Sequence, residues 1–256
     1  MQAENISIAY ERPILRDINF QVHNITRPDV NQGQVVSLIG RSGIGKTQLF
    51  KILAGLLQPN TGTVRIGEDL HPVKIGEIGI VPQNYILFNH RSILENLKLG
   101  LRGASTQLSE NQKTELIKNY AHRFGLTDHL KKYPMQLSGG QRQRVSIIQQ
   151  ILTGNKFILF DEPFSGLDPV IKDVVVELLI NISTLDELNT LVIVSHDIEN
   201  ALAISDTAFI LANQEGKEGA TITEVIDMMQ MGLCWDPEIK KKKEFQTLVA
   251  EMKYRM

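Results

Sequence analysis

The sequence holds a single cysteine, Cys234, in 256 residues. No internal disulfide can form, and a reducing compartment is the natural setting. It also lacks an excess of charge of either sign. The formal net charge is −2, which gives no global basic field for nucleic acid and makes nucleic acid an unexpected partner. No apolar run approaches the length of a membrane span, so the protein reads as soluble, with any membrane contact peripheral. The N-terminus sets Glu4, Glu11 and Arg12 among short apolar runs and lacks the layout of a secretory signal. Internal repeats, low-complexity blocks and long heptad runs are missing too. What remains is 42% hydrophobic residues, enough for a sizeable core in one large domain, or one domain with a sub-domain.

The chain is organised around Gly40-Arg41-Ser42-Gly43-Ile44-Gly45-Lys46-Thr47, which fits G-x-x-x-x-G-K-[ST]. An apolar run from Val35 to Ile39 precedes it and suits a buried strand. A helix-compatible run from Gln48 to Ala54 follows it. This strand–loop–helix setting gives the pattern its physical meaning. Glycines let the backbone close around phosphate oxygens. Amides of the loop and of the new helix then point at the anion. Lys46 adds a point charge near the β- and γ-phosphates, and Thr47 offers a hydroxyl to Mg²⁺.

Before this loop the chain reads as an antiparallel, strand-rich start. Ile6, Ile8 and Tyr10 alternate with polar residues, as do Ile18, Phe20 and Val22. Tyr10 is either an aromatic that stacks on an adenine ring or an ordinary strand residue. The segment from His23 to Gly33 reads as a loop. After the first helix, Thr63 to Ile66 and Ile78 to Val81 are short strands. Gln83, just beyond the second, can reach Mg²⁺ or an attacking water; the plainer alternative is a surface glutamine. Between 84 and 137 helix signals dominate. Ile93, Leu94 and Leu97 mark one helix; Leu116, Ile117, Tyr120 and Phe124 mark another, with Ser109 and Gln112 as its capping box. A polar link from Gly103 to Ser109 joins the two.

Leu137-Ser138-Gly139-Gly140-Gln141 is a second helix start whose glycines expose amides, or simply a capped helix. Phe157 to Phe160 is an apolar strand ending in Asp161 and Glu162. Carboxyl ends of strands are where an open parallel sheet places ligands. Asp161 suits Mg²⁺, and Glu162 suits the water that attacks a γ-phosphate. Ser165-Gly166-Leu167-Asp168-Pro169 turns into a helix. Thr190 to Ser195 is another buried strand, ending at His196. The chain has six histidines, and the other five read as surface. Asp206 to Ala212 gives a further strand. Gly216 to Gly219 reads as a turn. Lys240 to Lys243 reads as a solvated face beside Phe245, Leu248, Val249 and Met252 of a terminal helix, with contact to acidic lipid as the lesser alternative.

Taken together these motifs resemble the nucleotide-binding subunit of ATP-binding-cassette (ABC) transporters. The resemblance spans nearly the whole chain. It rests on Tyr10, the loop from Gly40 to Thr47 with Gln48 after it, Gln83, Ser138-Gly139-Gly140-Gln141, Asp161 with Glu162, Asp168, and His196. It implies an α/β fold: a P-loop NTPase (RecA-like) core with an N-terminal antiparallel β sub-domain and an inserted helical sub-domain at about residues 84–140. The ATPase domain would cover 1–212, and 213–256 would form a short C-terminal extension. It implies ATP and Mg²⁺, with Thr47, Gln83 and Asp161 toward the metal. It implies Lys46, Gln83, Glu162 and His196 in catalysis, and a head-to-tail pair of chains in which Ser138 and Gly140 of one complete the site of the other. Asp168 would couple the two sites.

The resemblance further implies transmembrane permease subunits, a solute-binding protein, and a place on the cytoplasmic face of the inner membrane. The runs at Tyr85, Leu87, Phe88, Ser92 to Asn96 and Pro163 to Asp168 are similar to the nitrate/sulfonate/taurine class of importers. Other readings are a lipid or lipoprotein exporter, a non-transport cassette protein, and a nucleotide sensor without catalysis. Against the last stand the intact Glu162 and His196. The chain departs from the pattern at Gln48, where a small hydroxyl residue is frequent, and at Gln149 and Gln150, where Arg-Ala is usual.

Overall fold

The computed structural model describes residues 1–23, 25, 33–102, 108–186 and 188–256. Most of the expected loop from His23 to Gly33 and most of the expected Gly103–Ser109 link lie outside the described residues. In chain order the elements are β1 (Gln2–Ala9), β2 (Pro13–Gln21), β3 (Gln34–Gly40), α1 (Lys46–Leu53), β4 (Thr61–Ile66), β5 (His71–Pro72) and β6 (Gly79–Val81). Then come α2 (Ile93–Gly100), α3 (Glu110–Arg123), α4 (Gly139–Ile151), β7 (Phe157–Asp161), α5 (Pro169–Ser183) and β8 (Thr190–Ser195). The chain closes with α6 (Ile198–Ile204), β9 (Thr207–Asn213), β10 (Ala220–Asp227) and α7 (Lys243–Arg255).

All strands join one sheet in the order β5-β4-β1-β2-β10-β9-β3-β8-β7-β6. The run from β9 to β6 is parallel, while β1, β2, β4 and β5 pair antiparallel. The parallel strands β3 and β8 are buried at every position, as a sheet covered on both faces requires. Their residues still alternate between two cores. Val35, Ile39, Leu191 and Ile193 face the side of Leu97, Ile117 and Ile147. Val36, Leu38, Val192 and Val194 face the side of Leu49, Leu53 and Ile18. The register sets Ile39 beside Ser195, and Asp161 beside Val194, so three strand ends converge on one edge.

Helices α2, α3 and α4 share one reason for starting where they do. Ser92, Ser109 and Ser138 each accept a hydrogen bond from the residue three positions on, and Glu95, Gln112 and Gln141 return it. Their apolar faces meet through Ile93, Leu97, Ile117, Ala121, Val145 and Ile148, all fully buried.

Two elements differ from the sequence expectation. No strand was expected after Ala212, yet β10 follows the Gly216–Gly219 turn as the second arm of a hairpin with β9. It also pairs parallel with β2, and so ties the antiparallel strands to the parallel ones. Its side chains are mixed in burial, which blunts the apolar alternation. His129 was read as surface, but its Nδ1 is buried and has no partner among the described residues.

Candidate active site

Strand β3 delivers the chain at Gly40, and α1 begins at Lys46. Between them the backbone turns through Gly43 at φ 80° and Gly45 at φ 108°. The second is the helix N-cap, in the left-handed region, with no side-chain cap. A Cβ there would stand 2.8 Å from the Leu15 side chain, so glycine is required by space as well as by φ. The amides of Gly43 and Gly45 meet no protein acceptor among the described residues. They remain, with the N-terminus of α1, as donors for an anion. Gly40 and Arg41 serve through their carbonyls, which accept from Lys46 Nζ at 2.9 and 3.0 Å. Ile44 packs against the Gly40 backbone.

Lys46 is only 7% exposed, and its ammonium stands 3.1 Å from Glu162 Oε1. Glu162 follows β7 with φ 50°, a conformation that costs a non-glycine residue energy. Its amide donates to Val194 O at 2.8 Å, which fixes it against the end of β8. The other carboxylate oxygen accepts from Ser195 Oγ at 3.3 Å and His196 N at 3.1 Å, and lies 2.8 Å from His196 Nδ1. One carboxylate thus spans Lys46 and His196. Beside it, the Asp161 carboxyl is pushed above its ordinary value. Burial is the main cause and the Glu162 charge adds to it, against the pull of Lys46 and Lys51.

Lys46, Glu162 and His196 line one cleft of about 460 Å³. Tyr10, Ser42, Gly43, Gly45, Lys46, Thr47 and Gln48 form one wall, and Gln83, Glu162, Ser165 and His196 the other. Tyr10 is 63% exposed, and its hydroxyl bonds Gln48 Oε1 at 3.2 Å. Gln83 Nε2 donates to Ser165 Oγ at 3.2 Å. Ser195 and Ser165 were not expected at the site; Ser195 directly precedes the expected His196, and Ser165 opens the turn that leads to Asp168, which are their only sequence signals.

Of the expected residues, Gly40, Arg41, Ile44 and Asp161 do not line this cleft themselves but adjoin residues that do, and two further groups lie elsewhere. Ser138, Gly139, Gly140 and Gln141 form the N-terminus of α4, where a Cβ on either glycine would meet nothing within 4 Å. Gln141 turns back to Ser138 N at 2.9 Å and to His129 Nε2 at 3.0 Å. Asp168 is exposed and caps α5, accepting from Ile171 N at 3.1 Å. The cleft therefore assembles residues of the glycine-rich loop, Gln83, Glu162 and His196 of one chain, with Asp161 just behind Glu162, and leaves the serine-glycine helix start facing outward.

A protein-family model described as ABC transporter matches residues 23–165, more than half of the chain. The chain belongs to the ABC transporter family of ATP-binding proteins. It is similar to the ABC transporter ATP-binding protein YtlC of Bacillus subtilis, with 37% identity over 94% of this chain and 88% of that protein. It is also similar to the sulfate/thiosulfate import ATP-binding protein CysA of Pseudomonas putida, with 36% identity over 75% of this chain. It spans 60% of that relative's length. Among solved structures, CbiO1 of Clostridium perfringens has the same fold, with a TM-score of 0.73 and 23% identity over 98% of both chains. The chain is thus an α/β ATPase of the ABC family, and ATP with Mg²⁺ is what this family takes.

The donor set fits a magnesium ion. Among the described residues no three His, Cys, Asp or Glu side chains cluster as a cage. Magnesium does not need one, because it is held by one or two protein ligands together with substrate phosphates and water. The half-buried Asp161, close enough to Lys46 for their charges to interact, is a carboxylate of that kind.

Proposed function

We propose that this chain is the ATP-hydrolysing subunit of an importer, and that its solute is a small anion of the nitrate, sulfonate or taurine kind. The phosphates of ATP would seat on the amides from Gly40 to Thr47, with Gln48 at the rim. Lys46 would exchange its bond to Glu162 for the β- and γ-phosphates. Glu162 is then free to accept a proton from the attacking water, while His196 donates toward the γ-phosphate. Tyr10, with its exposed ring, would stack on the adenine. Thr47, Gln83 and Asp161 would hold Mg²⁺, which when bound neutralises charge on the phosphate oxygens.

Two chains would meet head to tail. Ser138, Gly139, Gly140 and Gln141 of one chain, and its Asp168, would close the cleft of the other. The outward placement of these residues in this chain supports that reading. Among the described residues no helix is long and apolar enough to cross a membrane. Transmembrane permease subunits would therefore carry the solute, a solute-binding protein would deliver it, and this chain would sit peripherally on the cytoplasmic face. The relative CysA is named for sulfate and thiosulfate import, which supports an anion.

The observation that carries the reading is the single line-up of Lys46, Glu162 and His196 in one cleft. Glu162→Gln should bind ATP normally and hydrolyse it slower by about 10²-fold or more, the usual scale of general-base loss. Normal turnover in that variant sinks the assignment. Mass spectrometry of proteins captured with the tagged chain from detergent-solubilised membranes tests the importer: a permease with a solute-binding protein supports it, and a lipid-handling permease or ribosomes overturn it.

A further inference from the structure

The basic run at Lys240 is not simply a solvated face. Lys240 Nζ donates to Asp173 Oδ1 on α5 at 2.6 Å and to Asn200 Oδ1 on α6 at 2.8 Å. Next to Asp173, Lys172 donates to Asp197 Oδ2 at 2.7 Å. Asp197 Oδ1 accepts from both the backbone N and the side-chain Nδ2 of Asn200, at 3.1 and 3.0 Å. Lys172, Asp197, Asn200, Lys240 and Asp173 thus close a polar ring that joins the first turns of α5 and α6. The C-terminal segment contributes one member, Lys240.

The ring abuts the site at both ends. Lys172 N donates to Asp168 O at 3.0 Å, so α5 carries the ring to the residue proposed to couple the two sites. Asp197 follows His196, and its amide donates to Ser195 Oγ at 3.0 Å, the hydroxyl that in turn reaches Glu162. Burial disfavours the charge on Asp197, but Lys172 and the Asn200 hydrogen bonds outweigh it and hold the carboxyl below its ordinary value. The Lys240–Asp173 pair is much more open, with side chains 31% and 67% exposed. A pair so placed contributes little to stability. Its value lies in direction: it spans two helices whose N-termini carry Asp168 and His196.

We propose that Lys240 is a positioning residue for hydrolysis. From the C-terminal segment it clamps the start of α6 to α5 and so holds His196 on Glu162. The proposal rests on the roles given above to Glu162 and His196.

The test is steady-state ATPase kinetics and ATP binding on the full chain, with Glu162→Gln run beside it. Lys240→Ala should lower kcat about tenfold, less than the 10²-fold that a misplaced catalytic group can cost, and leave KM for ATP unchanged. Lys240→Arg, which keeps the charge and the reach, should restore most of kcat. Lys241→Ala, whose partner Glu238 lies in its own turn, should match the wild type. A merely structural role would lower melting temperature without this split between kcat and KM. Wild-type kcat in Lys240→Ala, or an equal fall in Lys241→Ala, overturns the proposal. If Glu162→Gln is then still inactive, the site reading stands without it; if Glu162→Gln turns over normally, both fall.

Discussion

Two helix starts in this chain look alike on paper and differ in three dimensions. Each opens on paired glycines, at Gly43 and Gly45 before α1 and at Gly139 and Gly140 in α4. The start of α1 has no side-chain cap, and its lysine is held by two carbonyls and a carboxylate inside a cleft. The start of α4 is capped by its own Ser138 and Gln141, and no described residue comes within 4 Å of a Cβ placed on its glycines. The first is shaped to receive an anion and is pre-loaded with countercharge. The second is finished as local structure yet incomplete as a site. A helix N-terminus is an anion site only where something else shapes the space around it.

The largest effect should come from breaking the loaded start. Lys46→Ala removes the cation that faces the reacting phosphates, and loss of one such preorganised donor costs about 10²–10³ in rate. ATPase assays should show that fall. They should show little from an alanine at Lys51, whose charge only flanks Asp161. The comparison sharpens with a mixing experiment. Gly140→Asp should also inactivate, by placing a like charge where a phosphate must approach. Mixing Lys46→Ala with Gly140→Asp should then restore hydrolysis, because the proposed head-to-tail pair would hold one intact loop opposite one intact α4 start. A mixture as dead as its parts would show that each chain completes its own site.

Much of this was legible in the sequence. Local rules sufficed for β3, the loop and α1, and the capping box at Ser109 and the N-cap at Ser138 marked two helix starts correctly. The convergence of Asp161 and His196 on the loop followed from strands ending in polar tips. Two features were not legible. The Lys46–Glu162 pair joins residues brought together only by the register of β3, β8 and β7, and no local pattern encodes it. Strand β10 was missed because the exposed Val225 and the half-buried Glu224 interrupt its alternation. The run of β-branched residues from Thr221 to Ile226 behind a glycine turn was nonetheless a usable hairpin signal.

Asp161 offers a smaller effect with a definite sign. Its folded carboxyl titrates above the ordinary value because burial and Glu162 disfavour its charge. Such a group stabilises the fold below its unfolded pKa, and that contribution is lost as pH rises through the raised folded value. Asp161→Asn removes the buried charge. The nucleotide-free variant should therefore melt slightly higher than the parent at neutral pH, and the gap should close on acidification toward the ordinary aspartate value. Its Mg²⁺-dependent hydrolysis should be lost over the same range. A variant that melts lower at neutral pH would mean that the Asp161 charge is a net structural asset in the empty site.

The smallest effect separates packing from chemistry. Gln149 and Gln150 depart from the family pattern, and the structure gives both a local role. Gln149 Nε2 donates to Asn96 O on α2 at 3.0 Å, and Gln150 Oε1 accepts from Ile80 N on the edge strand β6 at 3.1 Å. Gln150 thereby satisfies a backbone donor that the sheet leaves unpaired at its margin. Replacing it by alanine leaves that donor to water in a half-buried place, at a cost of about 1 kcal/mol. Denaturant unfolding should register the loss, while kcat and the ATP affinity of the folded fraction stay at the parent value. If Gln150→Ala instead slows hydrolysis, then α4 transmits the state of the β6 edge to its own N-terminus, and the open helix start is less independent of the loaded one than their geometry suggests.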